Sequence, residues 1–141
     1  MRFLLDVNLL LAIGLAEHEH HARAAAWARD TASGEMLTCA ITEIGFVRVA
    51  SQAAVYGYAV SDAKQLLQRL RAAAAGPGGN DAGAPAPRFR FVGDAVPADS
   101  LPGWVRGAKQ VTDGHLTALA AAHGAKLATL DAGIPGAYRI R

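Results

Sequence analysis

At 141 residues, with 52% hydrophobic and 18% charged side chains, the chain has a globular composition and enough length for one domain with a real core. A formal net charge of +2 and a pI near 9.0 suit a polyanionic substrate but exclude a protein that coats nucleic acid. The single cysteine, Cys39, excludes an internal disulfide and points to a reducing cytosol. The N-terminal run lacks an export signal, and no uninterrupted apolar stretch of about 20 residues is present to span a membrane.

The chain opens with "RFLL", a short buried strand, followed by "NLLLAIGLA" of helical length. "EHEHHARAAAWARDTASG" reads as a polar-faced helix closing on Gly34. "EMLTCA" is a second strand, and "ITEIGFVRVASQAAV" has largely helical apolar spacing. Ser61 is placed to cap "DAKQLLQRLRAAAA", whose Leu66, Leu67 and Leu70 form an apolar stripe. The Gly- and Pro-rich segment 76–87 forbids regular structure and reads as a surface loop within one domain, 1–141. "RFRFVG" resumes as a strand, and Thr112 is placed to cap "DGHLTALAAAHG". "AKLATL" is a further strand ending at Asp131, and "YRIR" a final one. Strands alternating with helices predict an α/β architecture with a mainly parallel sheet.

Four acids fall at matching places in that pattern. Asp6 follows the first strand and Asp131 the strand "KLATL". Glu43 lies near the start of the helix after the second strand, and Asp113 in the first turn of a later helix. In a parallel sheet, strand C-termini and the following helix N-termini open onto one edge, where ligands bind. Two carboxylates about 4 Å apart repel by roughly 4 kcal/mol at an effective dielectric near 20. Helix dipoles offset only about 0.3–1 kcal/mol each, so such a cluster calls for protonation or a cation. Oxygen ligands without cysteine suit Mg²⁺ or Mn²⁺, and the chemistry implied is phosphodiester hydrolysis. Taken singly, each acid also has an ordinary use as a cap or turn former. Asn8 reads equally as a helix cap or as a positioner of Asp6.

The stretches "FLLDVNLLLA", "HEHHARAAAW", "ITEIGFVRV" and "VTDGHLTALAAAHGAKLATLD" resemble PIN-domain proteins, specifically VapC-type toxins, in order and over nearly the whole chain. The resemblance implies a three-layer α/β/α sandwich and a metal-dependent endoribonuclease. It assigns Asp6, Glu43, Asp113 and Asp131 as catalytic acids. Asp6 and Asp113 would hold Mg²⁺ or Mn²⁺, with Glu43, Asp131 and Asn8 in support, in part through water. It further implies RNA as substrate, a homodimer, and a cognate antitoxin that covers the acid crevice and alone contacts operator DNA. An RNA-processing nuclease without toxin role and a catalytically inactive binding module are the alternatives. Loop 76–87 departs from the family pattern as an insertion, and "AGI" after Asp131 replaces charged residues often found there.

Other features have plainer readings. His18 and His21 stand three apart, whereas a helical zinc pair stands four apart, so packing accounts for the histidines better. Core or interface packing is the commoner use of Trp27 and Trp104 than stacking on bases. Arg and Lys in "KQLLQRLR" read as a solvated helix face with phosphate attraction secondary. "LLLAIGLA" and the second helix suggest apolar surface left for a partner.

Overall fold

The computed structural model describes residues 1–31, 34–75 and 88–141. Five strands, β1 (Arg2–Leu5), β2 (Glu35–Thr38), β3 (Arg88–Phe91), β4 (Lys126–Thr129) and β5 (Tyr138–Arg139), form one sheet in the order β3-β2-β1-β4-β5. Every pairing is parallel, with Leu4 opposite Leu37 on one side and Leu127 on the other. The helices are α1 (Val7–Gly14), α2 (His21–Asp30), α3 (Ala40–Gln52), α4 (Val60–Ala75) and α5 (Val111–Ala122).

Alternation along each strand divides the core into two layers. Phe3, Leu5, Met36 and Ala128 face α1, α2, α3 and α4, joined by Leu9, Leu10, Ala24, Phe46 and Leu67. Leu4, Leu37 and Leu127 face the other way, onto Leu116, Leu119 and Ala120 of α5. The result is the expected α/β/α sandwich, with both faces of the sheet covered as an all-parallel sheet requires. Trp27 meets Phe3 edge-on at 5.3 Å between ring centroids and also approaches Tyr138, so this tryptophan packs. Trp104 packs against the second core layer.

The structure corrects several local expectations. Leu9, Leu10, Leu11, Ala12 and Ile13 of α1 are all buried, so this helix leaves no apolar face for a partner. Helix α2 begins at His21 rather than Glu17, because residues 17–20 form turns. Ser61 and Thr112 lie inside their helices rather than at the caps. For α5 the reason is Gln110, whose Oε1 accepts the backbone N–H groups of Arg106 and Gly107 at 2.8 and 3.2 Å. That turn, with the 3₁₀ segment Ala108–Gln110, starts the helix two residues earlier, at Val111. Loop 76–87 lies outside the described residues. Among those described, no helix is long and apolar enough to cross a membrane.

Two features of this frame fix the acids beyond strand position. Gly114, next to Asp113, lies so close to Val105 that a Cβ there would collide with the Val105 side chain. Loop 101–105 therefore packs directly onto the first turn of α5. On α3, Cys39 donates its N–H to Thr42 Oγ1 at 3.0 Å and Thr42 Oγ1 donates to the Cys39 carbonyl at 3.2 Å. This closed first turn satisfies an orphan helix donor and sets the direction of Glu43, the next residue.

Candidate active site

The carboxyl edge of the sheet gathers the predicted acids in two groups. Asp6 leaves the end of β1 with its N–H bonded to the Ala128 carbonyl at 3.0 Å, which keeps it in register with β4. Its residue is only 8% exposed. Thr129 Oγ1, at the end of β4, donates to Asp6 Oδ2 at 2.8 Å and accepts the Asp131 N–H at 3.0 Å. One hydroxyl thus ties two site acids on neighbouring strands.

Burial pushes the Asp6 carboxyl above its ordinary value, against hydrogen bonds from Thr129 and the Val7 backbone, with the Asp131 charge adding to the rise. Asp113 is also raised, first by burial and then by the charges of Asp6 and Asp131. Asp6, Asp113 and Asp131 therefore act on one another electrostatically, as the strand and helix positions predict. Asp131 has a turn-forming role as well, since its Oδ1 accepts the Gly133 N–H at 3.0 Å.

Glu43 stands in different company. Its carboxylate is buried, and Oε1 accepts Thr38 Oγ1 at 3.3 Å and pairs with Arg71 Nη2 of α4 at 2.7 Å. Arg71 is exposed, as the solvated-face reading of "KQLLQRLR" expects, yet its guanidinium is also turned onto Glu43. Sequence spacing gives no hint of this pair, because the two residues stand 28 positions apart on two different helices.

Asn8 is exposed inside the first turn of α1 rather than capping it; Asp6 holds the cap position, without a side-chain capping bond. Asn8 lines a cavity of about 320 Å³ with His18, Glu19, His20, Leu130 and Asp131. Within the "HEHH" run, His18 Nδ1 accepts the His20 N–H at 3.0 Å and its ring stacks on Tyr56. His21 Nδ1 bonds the Ala12 carbonyl oxygen at 2.8 Å, joining α2 to α1. These contacts match the packing reading of the run. His115, two residues after Asp113 on α5, is paired with Asp94.

Among the described residues, no three His, Cys, Asp or Glu side chains stand close enough to enclose an ion. The donor chemistry nonetheless fits a hard divalent cation. Mg²⁺ commonly takes one or two carboxylates and keeps its waters, so a closed three-ligand cage is not required. Asp6 and Asp113 are the oxygen donors whose ionised forms are disfavoured by burial and by neighbouring negative charge, the condition a cation relieves.

That condition predicts a stability effect in the metal-free protein. A carboxyl raised on folding contributes stability that is complete below its unfolded value of 3.8 and lost as pH rises through the folded value. Asp113→Asn, neutral throughout, should therefore melt a few degrees above the unsubstituted protein at pH 7 in EDTA. The difference should vanish below pH 3.8. Thermal unfolding followed by circular dichroism checks this, and an Asp113→Asn protein that melts lower at pH 7 would contradict the electrostatic account.

No protein-family model matches the chain. Curated relatives do. Ribonuclease VapC38 of Mycobacterium tuberculosis is 40% identical over 135 residues, covering 93% of this chain and 86% of that protein. Ribonuclease VapC39 of the same organism is 37% identical over 134 residues, covering 95% and 91% respectively. Ribonuclease VapC29, also from that organism, is 33% identical over 135 residues, with 95% and 89% covered. With identity at this level over more than nine-tenths of its length, the chain belongs to the VapC ribonuclease family of PIN-domain proteins.

Proposed function

We propose that this single-domain protein is a metal-dependent endoribonuclease, the toxin of a toxin–antitoxin pair, which hydrolyses RNA phosphodiester bonds and thereby arrests growth. The observation that carries the reading is the convergence on one sheet edge of Asp6 and Asp113, both raised first by burial, with the Asp131 charge adding to each rise and that of Asp6 to the rise of Asp113. Its relatives bear the name ribonuclease, and mildly basic charge favours an anionic polymer.

Asp6 and Asp113 would hold Mg²⁺ or Mn²⁺, with Glu43, Asp131 and Asn8 supporting it, in part through water. The ion when bound supplies a nucleophilic water at neutral pH and neutralises charge developing on the phosphate. Thr129 keeps Asp6 oriented by donating to Oδ2, so that carboxylate is preorganised rather than free to rotate. Water adds to phosphorus and a ribose oxygen departs, while the buried, negatively charged edge itself repels RNA unless a cation is present. The reading includes a cytoplasmic homodimer and a cognate antitoxin whose basic segment covers the acids and through which operator DNA is bound.

Inducible expression in a bacterial host tests the toxin role, beside Asp6→Asn and Asp113→Asn. Growth arrest by the unsubstituted protein alone is the expected result. Arrest by all three, or by none, contradicts it; RNA cleavage in vitro without arrest would instead favour an RNA-processing nuclease. Cleavage that survives EDTA would remove the metal from the mechanism.

A further inference from the structure

Glu43 poses a problem that the aspartates do not. A buried carboxylate needs a counter-charge, and the chain supplies its own. Arg71 reaches from α4 to place Nη2 2.7 Å from Glu43 Oε1, while Thr38 donates to the same oxygen at 3.3 Å. Among the described residues no hydrogen-bond partner engages Oε2. The pair is well supported from both sides. The closed first turn of α3 directs Glu43, and Leu70, just before Arg71, packs at the junction of Gly14 and Phe46.

An arginine stays protonated at every pH the protein meets, so this cation is permanent. Any divalent ion that draws on Glu43 must share the carboxylate with it or displace it. From this we propose that Arg71 is an in-chain counter-ion of the acid edge: it positions Glu43 in the metal-free protein and, by competing for that carboxylate, weakens the site's affinity for a divalent cation. Arg71 acts through Glu43 and is a positioning residue. The proposal rests on the reading of the acid edge as a metal site.

Two positive charges on one carboxylate oppose each other even at a partly solvated edge. Removing the fixed one should tighten binding by about three- to tenfold. Arg71→Lys keeps the charge and should bind as the unsubstituted protein does. Removal of Glu43 disconnects Arg71 from the site, so Arg71→Gln in a Glu43→Gln background should change affinity less than about twofold.

The experiment is calorimetric titration of the EDTA-stripped full chain with Mn²⁺ alone. The set comprises the unsubstituted protein, Arg71→Gln, Arg71→Lys, Glu43→Gln and the Glu43→Gln/Arg71→Gln double variant. Folding is checked by circular dichroism, and Arg71→Met, which retains much of the apolar stem, replaces Arg71→Gln should the latter not fold. Tighter Mn²⁺ binding in Arg71→Gln, restored by Arg71→Lys and lost in the Glu43→Gln background, supports the proposal. Unchanged or weaker binding in Arg71→Gln overturns it while leaving the metal site intact. An Asp6→Asn/Asp113→Asn control separates the two ideas. If that control binds Mn²⁺ as well as the unsubstituted chain, the metal reading itself fails and takes this proposal with it.

Discussion

Asp6→Asn is expected to lower RNA cleavage at least about a hundredfold while the protein stays folded, and Thr129→Val to lower it by about ten- to a hundredfold. The ordering follows from position. Asp6 is, with Glu43, one of the two buried acids of the edge, each 8% exposed, and it is held from β4 by a 2.8 Å bond from Thr129. Removing its charge removes the strongest reason for a cation to bind there. Thr129→Val leaves the charge but frees the carboxylate to rotate and also releases the Asp131 N–H. The two losses should differ in kind as well as size. Raising Mn²⁺ should recover part of the Thr129→Val defect and little of the Asp6→Asn defect. Single-turnover cleavage of a labelled RNA across a Mn²⁺ series measures both. Asp6→Asn activity within about threefold of the unsubstituted protein would remove Asp6 from the reacting centre.

The largest expected loss of stability is that of Phe46→Ala, about 3–5 kcal/mol. Phe46 is completely buried and lies directly over Gly14, where a Cβ would come within 2.9 Å of the ring. Leu70 of α4 closes the same spot, so a single ring fills the meeting point of α1, α3 and α4. Neither α1 nor α3 is free to collapse into the gap, because α1 is tied to β1 and α3 to β2 by short connections. Such a loss is a large part of the roughly 5–15 kcal/mol that stabilises a typical domain. Urea unfolding should show a lower midpoint with an unchanged slope. A loss under about 1 kcal/mol would mean that the ring is not what joins the three helices. Glu43 lies one turn before Phe46 and Arg71 follows Leu70, so the cavity would also loosen the ion pair at the site.

How much of this was legible from the residues depends on the range of the interactions. The strands "RFLL", "EMLT" and "KLAT" share one pattern, a charged first residue followed by three buried ones of which only Thr38 and Thr129 are polar, because both sheet faces are covered. Asp6 and Asp131 stand out as polar residues at the ends of such runs, and a parallel sheet puts those ends together. Helix starts are less legible. Thr112 and Ser61 have the right side chains for caps, but the α5 start is decided by Gln110 folding back onto Arg106 and Gly107. The same limit hid Arg71. A helix with leucines on one face and basic residues on the other looks solvated, and only the packing of α4 beside α3 turns one of those residues onto Glu43. Asn8 carried two readings from sequence, and the backbone removes one of them by starting α1 at Val7.

The bond from Thr129 to Asp6 spans 123 positions of the chain. β1 sits at the centre of the sheet, yet its neighbour β4 is the fourth strand to leave the ribosome. A growing chain that lacks residues 126–131 has β2 to pair with β1 but has neither Thr129 nor Asp131, and so lacks the hydroxyl that holds Asp6 Oδ2. Pairings so distant in sequence form late, since closing the loop between them costs entropy before contacts repay it. The full set of acids therefore exists only once this segment has been translated and β4 has docked beside β1.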